Sequence, residues 1–436
     1  MKGKMARVIT YGCQQNENDS ERIRGMLVEM GYTMTDENSL ADVIIFNTCA
    51  VRDNAEKRVY GNIGALKAVK DKKPELLIGI CGCMAQQQHV SDHIKKRFPY
   101  VDFVFGTHAI SRFPQILHSA QMKRVFDTDE CVSAEDKIYP HDRLSAVCAT
   151  VSIMYGCDNF CSYCVVPYVR GRERSREVED ILNEVNGLAA QGYREITLLG
   201  QNVNSYSKLA FSELLNRVSE TEGIERIRFI SSHPKDITDE LIDTIAKNPK
   251  VCNQLHLPFQ SGSNKVLKDM NRGYTKERYT DIINRVRDKI PDITLTSDVI
   301  VGFPTETAGD FEDTLNLVKT LEFDMLFTFI YSKRKGTAAY DMKPLLSQSD
   351  IKSNFDRLLE VQNAISYKKN KALEGSIQRV LTEGVSKTNE NMLTGRTEGG
   401  KIVNFGGEKA LIGSFADVKI TAAATWSLSG EIKKER

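Results

Sequence analysis

Short apolar runs alternate with helix-like patterns over the first part of the chain. Strands are predicted at 7–11, 43–47, 76–81 and 103–105, and helices at 20–30, 52–69 and 86–98. Ser20 before the acidic Glu21 suits the start of the first helix, and Gly31 suits its end. Such alternation favours a parallel sheet covered by helices. We therefore predict an α/β domain over residues 1–126, followed by a polar linker over 127–142.

A second strand–helix alternation occupies the middle of the chain. The strands are predicted at 150–154, 195–199, 226–230, 254–258, 294–301 and 325–331, with helices such as 178–191 and 276–289 between them. These are about six βα units, whereas a full barrel has eight. A long apolar periodicity over 349–373 then predicts a capping helix. We assign residues 143–374 to a partial (βα)6 barrel.

The last part of the chain has a different residue pattern, with short apolar segments and many glycines. Short strands are predicted at 377–385, 392–396, 401–405 and 418–423, separated by glycine-containing turns. This pattern predicts a small OB-like β-barrel over residues 375–436. From residue 376 onward there are nine Lys and Arg and seven Asp and Glu, so this segment is only slightly basic. A dimerisation or capping barrel therefore remains an alternative to an RNA-binding one.

Composition narrows the class of protein. The 41% hydrophobic and 27% charged residues exclude long disorder and a fibrous protein. The net charge is 59 − 58 = +1, so a nucleic-acid partner must be held by local basic patches. No apolar stretch approaches the roughly 18 residues of a membrane span, which predicts a cytoplasmic protein without membrane association. Ten Cys are too sparse for a disulfide scaffold and indicate metal binding or catalysis.

Three of these cysteines stand close together directly after the first predicted barrel strand. Cys157, Cys161 and Cys164 form a C-x3-C-x2-C motif. Thiolates repel one another unless a cation binds them. Gaps of two and three residues suit an iron–sulfur cluster, and three ligands leave one iron of a 4Fe-4S cluster open. Zinc with a distant fourth ligand remains the alternative.

Three more cysteines each follow a predicted strand of the first domain. They are Cys13, Cys49 and Cys83. Carboxyl ends of parallel strands share one edge of a sheet, so these residues can meet in space. The geometry is compatible with a second three-cysteine cluster. The alternative from spacing alone is three small buried apolar residues. Cys131, Cys148 and Cys252 match no motif and are interpreted as linker or core residues.

Several sequence words occur in a fixed order around these cysteines. They are YGCQQN, NTCAVR, GCMAQ, the C-x3-C-x2-C motif, VVPYVRGRERSR, LLGQNVNSY, SSHP, LPFQSGSN and VGFP. Together they resemble the radical S-adenosylmethionine (SAM) methylthiotransferases, and NTCAVR resembles the tRNA-modifying MiaB type. The resemblance spans essentially the whole chain, and the last segment is similar to the TRAM RNA-binding barrel.

The resemblance implies two 4Fe-4S clusters. Cys13, Cys49 and Cys83 would hold an auxiliary cluster that carries the sulfur or methylthio group. The other three cysteines would hold the cluster that binds and cleaves SAM to a 5′-deoxyadenosyl radical. The implied reaction is methylthiolation of the second carbon of N(6)-dimethylallyladenosine beside the tRNA anticodon, with SAM as both methyl donor and radical source. We therefore predict no acid–base dyad.

Two other functions stay open. The same chemistry can act on threonylcarbamoyl-adenosine in tRNA or on an aspartate of a ribosomal protein. A non-catalytic zinc protein that binds RNA is an alternative of a different class. The expected partners are a tRNA anticodon stem-loop and an electron donor such as flavodoxin, with the sulfur donor unknown. We expect a monomer.

Polar residues at predicted strand ends are candidates for the SAM pocket. They are Gly200, Gln201, Asn202, Ser232, Gln260, Ser261 and Asp298. Amide side chains can donate and accept hydrogen bonds to the methionyl part of SAM, although each residue alone also suits a simple turn. For RNA, the alternating Arg170, Arg172, Arg174 and Arg176 are suited to bidentate phosphate contacts. A solvated charge run is the alternative for this segment.

Overall fold

The computed structural model describes residues 3–50, 53–129 and 140–433. Cys131 and most of the predicted linker, residues 130–139, therefore lie outside the described residues. The first domain contains a six-stranded parallel sheet with the order β2-β1-β3-β4-β5-β6. Its strands are β1 (Met5–Tyr11), β2 (Thr33–Met34), β3 (Val43–Thr48), β4 (Leu77–Gly82), β5 (Phe103–Phe105) and β6 (Val125–Asp127). Its helices are α1 (Gln14–Glu29), α2 (Asp53–Lys72), α3 (Cys83–Gln86), α4 (Gln88–Arg97) and α5 (Phe113–Ala120).

The first helix begins earlier than predicted. α1 begins directly after Cys13 and not at Ser20. Its first turns carry buried polar residues that bind other elements, so they lack the apolar periodicity of a helix. Asn16 donates to the Asn47 side chain at 3.0 Å, and Asn18 donates to the hydroxyl of Thr150 in the second domain at 3.0 Å. The predicted helix 86–98 is likewise divided into α3, which starts at Cys83, and α4.

Six parallel strands form the central domain as two three-stranded sheets, β11-β10-β7 and β12-β13-β14. A parallel bridge pairs Ile227 of β11 with Val251, three residues before β12. The main strands are β7 (Cys148–Ser152), β10 (Glu195–Leu199), β11 (Arg226–Phe229), β12 (Gln254–His256), β13 (Thr294–Val301) and β14 (Met325–Ile330), and β8 (Met154–Tyr155) pairs with β9 (Arg174–Ser175). The helices are α6 (Val166–Arg170), α7 (Val178–Ala190), α8 (Phe211–Ser219), α9 (Asp239–Lys247), α10 (Asn264–Asp269), α11 (Lys276–Lys289), α12 (Ala308–Leu321) and α13 (Gln348–Lys371).

Alternate residues of these strands face opposite sides of the partial barrel. Leu295 and Val299 of β13 pack into the core beneath the helices, whereas Asp298 lies on the concave face. Asp298 is paired in register with Phe327 of β14. We call this concave side the lumen face. Because β14 is an edge strand, the lumen face is open beside it.

The last domain is a closed five-stranded barrel with the order β15-β16-β17-β19-β18. Its strands are β15 (Ile377–Ser386), β16 (Asn389–Arg396), β17 (Ile402–Gly406), β18 (Phe415–Ala423) and β19 (Leu428–Ile432). The sequence pattern missed β19. The predicted fold class, a parallel α/β domain followed by a partial barrel and a small β-barrel, is confirmed.

Buried arginines attach the small barrel to the amino ends of the central strands. Arg226 donates to the backbone oxygens of Arg379 and Arg396 at 2.6 and 2.9 Å. A side chain at Gly399 would bring its Cβ within 2.2 Å of the Thr294 hydroxyl, so the backbones approach closely there. The small barrel therefore lies opposite the carboxyl ends of the strands. Within the described part of the chain, no helix has the length and apolar character needed to span a membrane.

Candidate cluster and cofactor site

The sheet order brings three cysteines of the first domain to one edge. Strands β1, β3 and β4 are neighbours, and Cys13, Cys49 and Cys83 follow their carboxyl ends. The Cys13 and Cys49 side chains are within hydrogen-bond distance, and Cys13 and Cys83 interact electrostatically. Cys81, by contrast, lies inside β4 and packs in the hydrophobic core of the domain.

The Cys13 and Cys83 thiols differ in acidity. The hydrogen bond with Cys49 lowers the pKa of Cys13 to about 5 against the opposing effect of burial, with help from the Arg170 charge. Burial raises the pKa of Cys83, although Arg170 opposes the shift. Cys13 is therefore disposed to be a thiolate in this arrangement, while Cys83 needs a nearby cation to become one.

The second triplet lies in the loop after β8. A Cβ at Gly156 would lie 2.1 Å from the Arg172 carbonyl oxygen, and its φ of 78° also favours glycine. The loop after it turns back on itself, with the Cys164 amide donating to the Cys161 carbonyl at 2.9 Å. Burial raises the pKa of Cys157, and it raises that of Cys164 to about 12. Cys157 and Cys164 therefore need a bound cation to become thiolates.

Both triplets offer sulfur donors alone. In the described residues, no three Cys, His, Asp or Glu side chains are arranged to surround a single metal ion. A 4Fe-4S cluster binds each thiolate to a different iron atom, so its ligands stand farther apart than those of one ion. The donor chemistry of the two triplets, three thiols each, fits such a cluster.

A group of unpartnered buried polar atoms surrounds the carboxyl ends of β10, β11 and β12. In the part of the chain that the structure describes, these atoms are Asn202 Oδ1, Ser232 Oγ, His233 Nε2 and Gln260 Oε1. Leaving a buried polar atom without a hydrogen bond costs about 1–3 kcal/mol. Four of them around one set of strand ends could hold a polar ligand. Asn202, Ser232 and Gln260 were predicted for the SAM pocket.

Sequence reasoning did not select His233, although it lies in the SSHP word that supported the family resemblance. Burial lowers the pKa of His233 to about 2, with a further contribution from the charge of Arg272. The ring is therefore neutral, and its unpartnered nitrogen is available to a ligand. The signal that could have found it is its place directly after a strand, beside Ser232.

The remaining predicted pocket residues have different surroundings. The Gln201 side chain accepts from the Gly156 amide at 2.5 Å, which links the strand end to the cysteine loop. At Gly200, a Cβ would lie 2.5 Å from the Met154 side chain. Asp298 lies on the lumen face, with a carboxylate oxygen 3.5 Å from His256 Nε2.

The prediction for Ser261 does not fit the structure. Ser261 is fully buried, and its hydroxyl contacts the Thr314 hydroxyl at 3.3 Å and accepts from the Ser263 amide at 3.2 Å. These partners occupy the hydroxyl within the protein, so it is not directed to a ligand.

The arginine segment also requires a correction. Arg170 and Arg176 are buried, and each forms an ion pair at 2.7–2.8 Å, with Asp19 and Glu184 respectively. A buried, paired guanidinium is not available to a phosphate, so the predicted RNA contact does not fit these two residues. Arg172 is exposed and lies 4.9 Å from the ring centroid of Phe160, and Arg174 is partly exposed. The RNA contact stays a prediction for Arg172 and Arg174.

Aromatic side chains on the lumen face were missed by sequence reasoning. Phe327 and Phe329 of β14 are each 46% exposed, although neighbouring strands are well covered. The His256 ring meets Phe327 edge-on at 5.6 Å between centroids. The alternating aromatic pattern in MLFTFI was the available signal, but it predicts a strand without showing which face is open.

Three family models match the chain. The Radical SAM superfamily matches residues 151–318, the Uncharacterized protein family UPF0004 matches residues 5–106, and the TRAM domain matches residues 371–433. The radical SAM match covers the C-x3-C-x2-C motif, and the UPF0004 match covers the three cysteines of the first sheet.

Similar proteins extend over nearly the whole chain. A Clostridium botulinum protein named tRNA-2-methylthio-N(6)-dimethylallyladenosine synthase is 53% identical, over 97% of this chain and 95% of its own length. An Acetivibrio thermocellus protein of the same name is 51% identical, over 99% and 91%. Among solved structures, the radical S-adenosylmethionine methyltransferase TsrM from Kitasatospora setae with cobalamin and a [4Fe-4S] cluster bound has a TM-score of 0.56 at 12% identity, over 77% of this chain and 74% of its own. The last likeness concerns the fold.

Proposed function

This chain belongs to the tRNA-2-methylthio-N(6)-dimethylallyladenosine synthases, a family of radical SAM methylthiotransferases, and we propose that its two cysteine triplets hold two 4Fe-4S clusters. Cys13, Cys49 and Cys83 would bind the auxiliary cluster, and Cys157, Cys161 and Cys164 the SAM cluster. When bound, the clusters and SAM would supply the sulfur and methyl group that replace an aromatic hydrogen, and the radical that removes this hydrogen. The observation that carries the proposal is that Arg170, six residues after Cys164, contacts Cys83 at 3.2 Å.

The chain's own groups would bind and orient the cofactor. Asn202, Ser232, His233 and Gln260 present the unpartnered polar atoms described above, which match the polar groups of a methionyl moiety. Because the His233 ring is neutral and its Nδ1 accepts from the Lys235 amide at 3.2 Å, Nε2 can donate to the ligand without adding charge. Burial of these residues keeps bulk water from the reacting atoms. No acid–base pair is required, because breaking an unactivated aromatic C–H bond is radical chemistry.

Removing the Ser232 hydroxyl should weaken SAM binding without harming the fold. Because Ser232 Oγ has no partner in the described residues, Ser232→Ala is expected to leave the melting temperature unchanged or slightly raised. Loss of one ligand hydrogen bond, worth about 0.5–1.5 kcal/mol, should raise the dissociation constant of SAM about 2- to 12-fold. Isothermal titration of SAM into the anaerobically reconstituted protein, with and without the substitution, measures the two dissociation constants.

Ser261→Ala is the matched control. It removes a hydroxyl that is hydrogen-bonded within the protein, so it should lower the melting temperature and leave the SAM affinity unchanged. Equal SAM affinities for Ser232→Ala and the unaltered protein would refute the role given to Ser232.

The substrate is tRNA, and the lumen face offers an apolar binding surface for its prenylated base. Phe327 and Phe329 expose apolar ring surface beside Asp298 and next to the open edge of β14. A dimethylallyl group needs such a surface, and a flipped purine can stack on it. The base would enter at the carboxyl end of the barrel, where both cysteine triplets lie.

We expect Phe327→Ala to lower kcat/KM for a prenylated anticodon stem-loop about 5- to 150-fold, from the loss of one base-stacking contact worth about 1–3 kcal/mol. The rate of SAM cleavage without RNA should not change, since Phe327 is not among the cofactor-binding groups. Phe327→Leu, which keeps apolar volume, should recover part of the activity. Equal kcat/KM values for Phe327→Ala and the unaltered enzyme would show that the base does not bind at Phe327.

Other contacts with tRNA would come from the exposed Arg172, the partly exposed Arg174 and the TRAM barrel. Phosphate contacts by such arginines add affinity that falls with salt. The tRNA substrate supports the cytoplasm as the location and an anticodon stem-loop as the recognised part. A small reductase such as flavodoxin would deliver electrons to a monomeric enzyme. We leave the sulfur donor open.

Anaerobic reconstitution followed by assay on defined anticodon stem-loops tests the function. Two clusters require about eight iron atoms and about eight sulfides per chain. We expect the 2-methylthio product with a stem-loop that carries N(6)-dimethylallyladenosine. No product should form with threonylcarbamoyl-adenosine or with unmodified adenosine. A colourless protein that contains zinc and binds RNA without turnover would refute the proposal in favour of the binding protein.

A further inference from the structure

Each cysteine triplet is contacted by one buried arginine. The Arg170 Nε donates to Cys83 Sγ at 3.2 Å. On the other triplet, Arg272 Nη1 donates to Cys161 Sγ at 3.3 Å. Both arginines are buried, and a guanidinium stays protonated in proteins. Each guanidinium is therefore a fixed positive charge with an N–H directed at a ligand sulfur.

Arg170 reaches its cysteine from a different domain. It ends α6, the short helix that follows Cys164 in the cysteine loop of the central barrel. Val165 and Val169 of the same segment pack against Ala50 and Cys83 of the first domain. The segment that follows the SAM-cluster ligands is thus part of the wall around the auxiliary-cluster ligands.

The same guanidinium also binds α1. Arg170 Nη2 donates to Asp19 Oδ2 at 2.7 Å, and the exposed fractions of the two residues are 6% and 1%. α1 begins after Cys13, and α3 begins at Cys83. Arg170 therefore joins the two helices whose first turns carry auxiliary-cluster ligands. With water excluded, this paired guanidinium has one defined orientation toward the sulfur.

We propose that Arg170 is a positioning residue for the auxiliary cluster, which holds the Cys83 thiolate in place and raises the reduction potential of the cluster bound there; this rests on the proposed function. Hydrogen bonds to ligand sulfurs and nearby positive charge stabilise the added electron of a reduced cluster. Arg272, which donates to Cys161, would act in the same way on the SAM cluster. The reduction potential of each cluster is then set by a different arginine. For the auxiliary cluster, this effect depends on docking of the two domains.

The test uses the full chain with Cys157, Cys161 and Cys164 changed to Ala, so that the auxiliary cluster alone is measured. In this background, Arg170→Gln is expected to make one-electron reduction of the cluster about tenfold less favourable, a shift of about 59 mV to more negative potential. A reductive titration followed by electron paramagnetic resonance measures the midpoint and the shape of the signal. Loss of the cluster from a folded Arg170 variant would support the same positioning role.

Arg176→Gln is the matched control. Arg176 is also buried and ion-paired in the same loop, and its hydrogen bonds within the described residues go to Glu184 and the Ser152 carbonyl. Its substitution should leave the midpoint and the signal unchanged. In the reciprocal background, with Cys13, Cys49 and Cys83 changed to Ala, Arg272→Gln should shift the SAM cluster and Arg170→Gln should not.

Arg170→Gln leaves Asp19 buried without its partner, which can unfold the protein. The double variant Asp19→Asn/Arg170→Gln removes both charges and keeps the experiment decisive. Because removal of the Asp19 charge alone raises the midpoint, the reference for this double variant is Asp19→Asn, which keeps Arg170 beside Cys83. A midpoint and signal in the folded double variant equal to those of Asp19→Asn would overturn the inference. Absence of iron from the parent itself would instead refute the second cluster of the proposed function, so the two failures are distinguishable.

Discussion

Replacing Cys83 by Ala is expected to abolish the methylthio product while SAM cleavage continues. Cys83 lies with Cys13 and Cys49 at the edge of the first sheet, separate from the triplet assigned to SAM. Substitution of residues that only support metal ligands costs about 10–100-fold, so loss of a ligand should exceed about 100-fold in product formation. Chromatography of the reaction measures 5′-deoxyadenosine and modified nucleoside in the same sample.

Cys81→Ala provides the control for this result. Cys81 is two residues away but is packed in the core of the first domain, and burial raises its pKa well above the ordinary value. Its replacement should affect stability and leave product formation intact. If Cys83→Ala retained full activity while Cys81→Ala lost it, the two cysteines would have exchanged the roles assigned to them.

Replacing Cys161 by Ala should abolish both SAM cleavage and product. The SAM cluster would lose a ligand that accepts a hydrogen bond from Arg272, and the open iron would lose its fixed place beside the strand ends. The expected fall is again more than about 100-fold, in both measured products. Iron content should drop by about half, to that of the auxiliary cluster alone.

The contrast between the two variants is the informative result. Cys252→Ala, in a buried cysteine close to Arg228 and Glu195 near the amino ends of the strands, should leave both reactions unchanged. Continued SAM cleavage in Cys161→Ala would show that the two triplets do not have separate tasks.

Local patterns were sufficient to predict most elements. Strand β10, strand β13 and helix α11 begin and end where their periodicity does. The prediction was wrong where polar residues are buried through long-range contacts. The start of α1 carries Asn16 and Asn18, whose partners lie on β3 and β7, so no window of sequence contains the reason for their burial.

In the candidate site, too, some features could be predicted from the sequence and others required the structure. Strand-end cysteines and polar residues were recognisable because parallel strands present their carboxyl ends at a shared edge. Ser261 and Ser232 both follow strands and have the same chemistry. The structure distinguishes them because Thr314 occupies the hydroxyl of Ser261, whereas that of Ser232 has no partner in the described residues.

The sequence by itself determined the family and the succession of three folds, and it predicted the thiolate chemistry, since cysteine spacing and hydrophobic period are local properties of the chain. Tertiary structure alone decided what each arginine does. Arg170 and Arg172 are two residues apart, yet one is sealed between domains against Cys83 and the other is exposed. The partner of Arg170 is 87 residues away, and whether a charge meets sulfur or water depends on how the domains pack.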